Sequence, residues 1–199
     1  EGMKSNTKSS ITLPAEEVRL VRSLKAKLKV RTNVEVVRRG LRLLQATTDR
    51  AELQEAYRRA SKAVRAGHAQ GDRGARPSVG RGPRLTLRID HGALLVADLN
   101  PRRGTEAGKL RPVVVLQTDL LNRTGHPSTW VVPCTTRLTG ESLLRVCLPT
   151  GAAGNDRECE VMIDQSRAVD NRRLRRRLGQ LPPALLREVK QKIRQLGDL

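Results

Sequence analysis

The chain has 199 residues, a formal net charge of +19 and 1% aromatic residues, namely Trp130 and Tyr57 with no Phe. That length holds one or two domains and requires an aliphatic core, and the scarcity of rings excludes RNA readers built on an aromatic platform. Three Cys and three His stand apart without metal-ligand spacing, so neither a zinc site nor any cofactor is expected, and an odd cysteine count fits a reducing, cytoplasmic setting.

The longest apolar runs, 93–97 and 112–116, are too short to span a bilayer, so no membrane is expected as partner. The charge predicts an acidic polymer, most simply nucleic acid. It is spread along the chain, +7 over residues 1–48, +5 over 49–84 and +7 over 85–199, so no single tail carries it. Glu1-Gly2 ahead of Met3 reads as an expression remnant.

In chain order, Lys8-Ser9-Ser10-Ile11-Thr12-Leu13 alternates as a strand, with Lys8, Ser10 and Thr12 on its polar face. Pro14 stops it and opens a helix at a position that tolerates proline, with Glu16 and Glu17 complementing the helix N-terminus. Val18, Val21, Leu24 and Leu28 form the inward stripe. Thr32-Asn33-Val34-Glu35 is a capping box for a second helix, with Val34, Val37, Leu41 and Leu44 facing inward. One strand and two helices cannot cover these faces alone, which predicts a dimer or a higher oligomer.

This strand-helix-helix pattern over residues 8–45 resembles the ribbon-helix-helix family of DNA-binding repressors, which includes many antitoxins. The resemblance implies a paired ribbon entering the major groove of operator DNA, with Lys8, Ser10 and Thr12 at base edges. It also implies that the helix start at Thr32 and Asn33 grips a phosphate. An ordinary solvated strand face is the alternative.

Asp49 and Glu52 look like the cap of a third helix, over 49–66, with Leu53, Ala56, Tyr57, Ala60 and Val64 in a stripe. The stripe, above all Leu53, Tyr57 and Val64, either docks a partner or packs back on its own helices. Residues 67–84 are rich in Gly, Arg and Pro and read as a flexible linker, reaching about 20–25 Å as a coil. The domains are thus residues 3–48, a helix at 49–66, the linker, and residues 85–199.

Beyond Leu85, β-branched runs alternate with turn signals up to a helix near 183–196. Gly92, Asp98-Leu99-Asn100-Pro101, Gly104-Thr105-Glu106, Arg111-Pro112-Val113-Val114-Val115-Leu116, Asp119 and Asn122 occur in that order. Val132-Pro133-Cys134-Thr135-Thr136, then Asp164-Gln165-Ser166-Arg167-Ala168-Val169-Asp170 and Arg173-Leu174, complete the set. Residues 88–199 resemble the MazF/PemK family of toxin endoribonucleases on these motifs, and the whole chain resembles a MazE-type antitoxin fused in front of such a toxin.

The resemblance implies an α+β chain, a ribbon-helix-helix followed by a small SH3-like β-barrel with a C-terminal helix. It also implies metal-free cutting of single-stranded RNA with the substrate 2′-hydroxyl as nucleophile, and inhibition by the antitoxin segment. Arg111 matches the catalytic arginine and Thr135 its partner, and Glu106 is either the proton acceptor or an orienter of Arg111. A guanidinium offers a forked donor to phosphate oxygens but rarely gives up its proton, which suits Arg111 to charge stabilisation.

The basic, glycine-containing loop 102–109 suits a phosphate backbone, so Arg102, Arg103, Thr105 and Lys109, with Gln117 nearby, are the expected RNA contacts. His126 lies outside the motifs and is set aside as a base. The run 172–177 is either a phosphate-binding edge or a solvated face. Ala93, Leu95 and Val96 stand where the family usually has an acidic residue and aromatics, and the net +5 of 49–84 departs from acidic antitoxin tails. The other functions the sequence allows are a repressor with an inactive second domain and a nonspecific nucleic-acid binder.

Overall fold

A computed structural model describes residues 12–71 and 87–199. The chain divides into two compact units between Glu52 and Leu53. Among the described residues no helix is long and apolar enough to cross a membrane.

In the N-terminal unit, helix α1 spans Ala15–Leu28 behind Pro14, with Glu16 and Glu17 in its first turn and Lys25 and Lys27 in its last. These charges oppose the helix dipole at both ends. It ends at Lys29, whose left-handed backbone (φ 51) returns its N–H to Ala26 O at 3.3 Å. The Thr32 hydroxyl caps the next helix by accepting from Glu35 N at 3.2 Å, while the Glu35 carboxylate pairs with Arg39 at 2.7 Å and leaves the capping box half made.

The expected inward stripes are only partly covered. Val18, Val21, Leu24 and Val37 are half-buried and Val30 and Val36 are buried, whereas Leu28, Val34, Leu41 and Leu44 are exposed. Among the described residues nothing covers those faces. Thr12 and Leu13 lie in no strand, and Lys8 and Ser10 fall outside the described residues.

Helix α2 runs unbroken over Asn33–Gly71, 39 residues, so the separate helix expected from Asp49 does not form. No Pro or Gly interrupts residues 41–66, and the Thr47 and Thr48 hydroxyls bond back to Leu44 O, at 2.7 and 2.9 Å, as helix-interior groups do. Residues 67–71, expected in the linker, are its last turn, and 72–84 lie outside the described residues.

The C-terminal unit is an antiparallel sheet. Its strands are β1 (Ala93–Asp98), β2 (Leu110–Val115), β3 (Ser128–Thr135), β4 (Arg145–Leu148), β5 (Cys159–Met162), β6 (Arg167–Asp170) and β7 (Leu174–Gln180). The order is β4-β5-β3-β2-β1-β7, with β6 also on β3. A short helix α3 (Asp119–Asn122) joins β2 to β3, and α4 (Pro183–Gly197) closes the chain behind two prolines suited to a helix start.

Strand β3 serves three partners: β2 in its centre, β6 along 128–131 and β5 at 134–135. The sheet therefore folds about β3 and is covered on both faces. One core gathers Leu94, Val114, Val132, Val161 and the α4 residues Val189 and Ile193, and the other Leu95, Val113, Val115, Val131 and Val169. Double coverage is why β1 and β2 read as continuous apolar runs rather than alternating ones. On the α4 side, Trp130, His91, Leu116, Ile193, Arg194 and Leu199 border a recess of about 210 Å³.

Gly92 sits at φ +79 before β1, where a Cβ would fall 2.7 Å from the Leu186 side chain. Glycine is needed there for both backbone and space.

Candidate active site

Arg111, opposite Ala97 in the β1–β2 pairing, is half-buried. Its Nε donates to Gly108 O at 2.7 Å and its Nη1 to Cys134 O at 3.4 Å. The guanidinium thus ties the end of the 100–109 loop to the end of β3, one residue from Thr135. No other hydrogen bond among the described residues uses it, so most of its fork is open to a ligand.

Thr135 is the last residue of β3 and faces Glu160 in register. Its Oγ1 accepts from Arg137 N at 3.2 Å, which leaves its O–H proton to donate. Glu160, 5% exposed, fixes the following turn by accepting from Thr139 N (3.0 and 3.1 Å), Thr139 Oγ1 (3.0 Å) and Gly140 N (3.0 Å). Burial alone would raise its pKa, but these donors outweigh it and hold the carboxyl below its ordinary value.

The loop is closed at its base by Leu99 N to Lys109 O (2.9 Å) and Lys109 N to Asn100 Oδ1 (3.0 Å). Asp98 accepts from Asn100 N at 3.1 Å, a bond that, with Arg175 nearby, keeps its carboxyl below the ordinary value against some burial. Arg102, Arg103, Thr105 and Lys109 are all exposed here, and Arg102 Nε donates to Gly104 O at 3.0 Å. Gly108 leaves no room for a side chain, since a Cβ would fall 2.7 Å from Arg102 Cβ.

Among the described residues Glu106 makes no hydrogen bond to Arg111. Its carboxylate pairs with Arg167 Nη1 at 3.1 Å, a partner 61 residues away that no local spacing reveals. Gln117 is not a surface contact either. It is 8% exposed, and its amide donates to Asn122 Oδ1 (2.9 Å) and Ser128 O (3.1 Å) and accepts from Trp130 N (3.2 Å), bracing the β2–β3 connection.

Sequence reading missed Gln165 and Arg167, which lie inside the late motif and grip Ala107. Gln165 Oε1 accepts from Ala107 N at 3.0 Å, and Arg167 Nη2 donates to Ala107 O at 2.7 Å. In the basic run, Arg172 pairs with Asp170, Arg175 with Asp98 and Arg177 with Asp90, while Arg173 donates to Asn100 O. Arg172, Arg175 and Arg176 are nonetheless exposed, and Arg173 and Arg177 are half-buried.

The expected docking stripe is open. Leu53 and Val64 are 45% and 38% exposed, and Tyr57 is half-buried. Within residues 49–66 the buried position is Ser61, whose Oγ lies 2.9 Å from Thr124 Oγ1 and 3.1 Å from His126 Nδ1. That contact is made just before β3 begins, at the opposite end of the strand from Thr135. Thr32 and Asn33 are exposed, and Asn33 borders an open recess with Arg22, Lys25 and Lys29.

Residues 90–197 match the family described as PemK-like, MazF-like toxin of type II toxin-antitoxin system. The chain is 30% identical over 112 residues to Endoribonuclease MazF9 of Mycobacterium tuberculosis, an alignment covering 54% of this chain and 95% of the relative. It is similar to a crystal structure of MazF from Deinococcus radiodurans, with 28% identity, a TM-score of 0.49 and coverage of 56% of this chain and 97% of that one. A chain in a MazE-MazF crystal structure from the same organism gives 27% identity and a TM-score of 0.46, covering 56% of this chain and 96% of that one. With the match spanning more than half of its residues, the protein belongs to the PemK-like, MazF-like toxins of type II toxin-antitoxin systems.

Proposed function

We propose that residues 85–199, with the makings of an SH3-like barrel, are a metal-independent endoribonuclease that cuts single-stranded RNA at defined sequences. The observation that carries this reading is the Arg111 guanidinium, held between Gly108 O and Cys134 O with its remaining donors open. The 2′-hydroxyl of the substrate attacks the adjacent phosphorus and the 5′-oxygen leaves and takes a proton from water, giving a 2′,3′-cyclic phosphate and a 5′-hydroxyl end. Arg111 stabilises charge on the phosphorane oxygens, Thr135 donates its O–H beside it, and Glu106, as the loop carboxylate, accepts the 2′-hydroxyl proton. Arg102, Arg103, Thr105 and Lys109 hold the RNA backbone from the loop.

In the same reading, residues 3–48 are a ribbon-helix-helix dimer on operator DNA, with Lys8, Ser10 and Thr12 at base edges and Thr32 and Asn33 at a phosphate. The exposed Val34, Leu41 and Leu44 support the dimer, and the cationic recess beside the start of α2 supports the phosphate grip. Leu53, Tyr57 and Val64 act as antitoxin by engaging the toxin unit of a second copy, since the helix contact within one copy lies away from Thr135.

The test is RNA cleavage in EDTA by a chain beginning at Leu85, by its Arg111→Ala variant and by the full chain. Cleavage at defined sites that vanishes in the variant, with the full chain silent, is the expected result. A folded Leu85 chain that cuts no RNA overturns the nuclease reading, and a full chain as active as the Leu85 chain overturns the inhibition.

A further inference from the structure

The geometry points to Arg167 and Gln165 as positioning residues that set the Arg111 guanidinium through the backbone of Ala107 and Gly108. This inference rests on Arg111 acting in catalysis as proposed above.

Three links lie in series. Arg167 begins β6 and is held in the sheet by its register opposite Val131, and Gln165 ends the 3-10 turn just before it. From this fixed base, Gln165 takes the N–H of Ala107 and Arg167 takes its C=O, so both polar backbone groups of one loop residue are gripped. The same guanidinium holds the Glu106 side chain through its other terminal nitrogen. The next residue, Gly108, offers its C=O to Arg111 Nε at 2.7 Å, the shorter of the two hydrogen bonds that fix the Arg111 fork. A shift of Ala107 therefore moves the acceptor that aims Arg111.

Neither Arg167 nor Gln165 bonds Arg111 directly, so the influence passes through the loop. Arg167 also carries a sign that stability alone does not explain its place, because its Nε is buried with no hydrogen-bond partner among the described residues. A buried donor left unsatisfied is unfavourable, and a flexible apolar side chain of similar length would avoid it. What an apolar side chain lacks is the pair of terminal donors that hold Glu106 and Ala107 together.

The experiment uses the full chain with Arg167→Met, Arg167→Lys and Gln165→Ala. The direct readout is the Arg111 Nε–H resonance in a 15N-labelled sample, assigned by its disappearance in Arg111→Lys. Arg167→Met and Gln165→Ala are expected to shift or broaden that resonance while the amide spectrum away from the loop stays folded. Where the full chain cleaves RNA, kcat falls about 10- to 100-fold in Arg167→Met with KM within about threefold, since misplacing a catalytic group by an ångström has that scale of effect. Arg167→Lys, which keeps one donor site, recovers part of the loss.

An Arg111 resonance unmoved in both Arg167→Met and Gln165→Ala overturns the proposal. So does wild-type kcat in both when Arg111→Ala is dead, and that outcome leaves the nuclease reading standing. A full chain that is silent, as inhibition requires, leaves the nuclease reading to the Leu85 chain, and the resonance still decides the positioning. If Arg167→Met fails to fold, Gln165→Ala and Arg167→Lys carry the same comparison.

Discussion

Replacing Glu160 with glutamine tests whether a charged acceptor holds the turn behind Thr135. The carboxylate is 5% exposed and takes donors from Thr139 N, Thr139 Oγ1 and Gly140 N. A glutamine oxygen can keep the two backbone donors, but as neutral bonds worth about 1 kcal/mol each instead of about 1.5–3 for charge-assisted ones. Relief from burying a charge offsets part of that loss, so the net is about 1–2 kcal/mol, or a fall of about 2–8 °C in Tm for a unit of this size.

The pH dependence gives the sharper check. The folded Glu160 pKa is depressed, so its contribution is complete above the unfolded glutamate value of about 4.3 and is lost as pH falls through the lower folded value. Thermal unfolding by far-ultraviolet circular dichroism at pH 7, 5 and 3 should show wild type and Glu160→Gln separated at pH 7 and converging at pH 3. An equal gap at pH 7 and pH 3 refutes the role of the charge, and no gap at pH 7 refutes the role of the bonds.

Three further outcomes are expected. Gln117→Leu leaves partly buried partners such as Ser128 O and Trp130 N unsatisfied and lowers stability by about 1–3 kcal/mol, while KM for RNA is unchanged; a raised KM at wild-type stability would restore Gln117 to the binding surface. The double variant Arg102→Ala, Arg103→Ala weakens RNA binding across all sequences and reduces the slope of log K against log salt by about 1.4, as loss of two phosphate contacts to a single strand requires. Cys147 is exposed and Cys134 and Cys159 are buried, so the native protein should label once with a thiol reagent and three times when denatured. That single labelling should be slow near neutral pH, because the Glu158 carboxylate that accepts from the Cys147 thiol at 3.1 Å pushes its pKa up.

The parts legible in the sequence are those fixed by local pattern. Helix α1 is announced by Pro14, Glu16 and Glu17 and ended by the basic residues near Lys29. The β1 and β2 runs are recognisable because two covered faces demand unbroken apolar residues. Arg111 and Thr135 are 24 positions apart, yet the direct β2–β3 pairing brings the Arg111 guanidinium to Cys134 O, one residue from Thr135.

What the sequence hides is partner choice over long separations. Glu106 stands closer in sequence to Arg111 than to Arg167, and only the β3–β6 pairing brings Arg167 to it. Gln117 looks like any polar residue after a strand, and its burial follows from the α3 connection folding over it. Asp49-x-x-Glu52 has the spacing of a helix cap, but the same spacing is permitted inside a helix when the flanking residues favour continuation, as they do here. The apolar stripes of the N-terminal unit are correctly periodic, yet a period does not say whether the covering surface belongs to the same copy.

Because Trp130 is the chain's single tryptophan, intrinsic fluorescence is a probe of one place only. The ring is 38% exposed beside the recess bordered by Ile193 and Arg194 of α4, and alternation along β3 puts it on the sheet face opposite Thr135. Emission should therefore move to longer wavelength when α4 detaches and to shorter wavelength when another surface covers that face. It should stay constant when a ligand occupies the Arg111 end. A titration that changes the spectrum reports an event at the C-terminal helix, which gives a label-free way to separate assembly from substrate binding in the same cuvette.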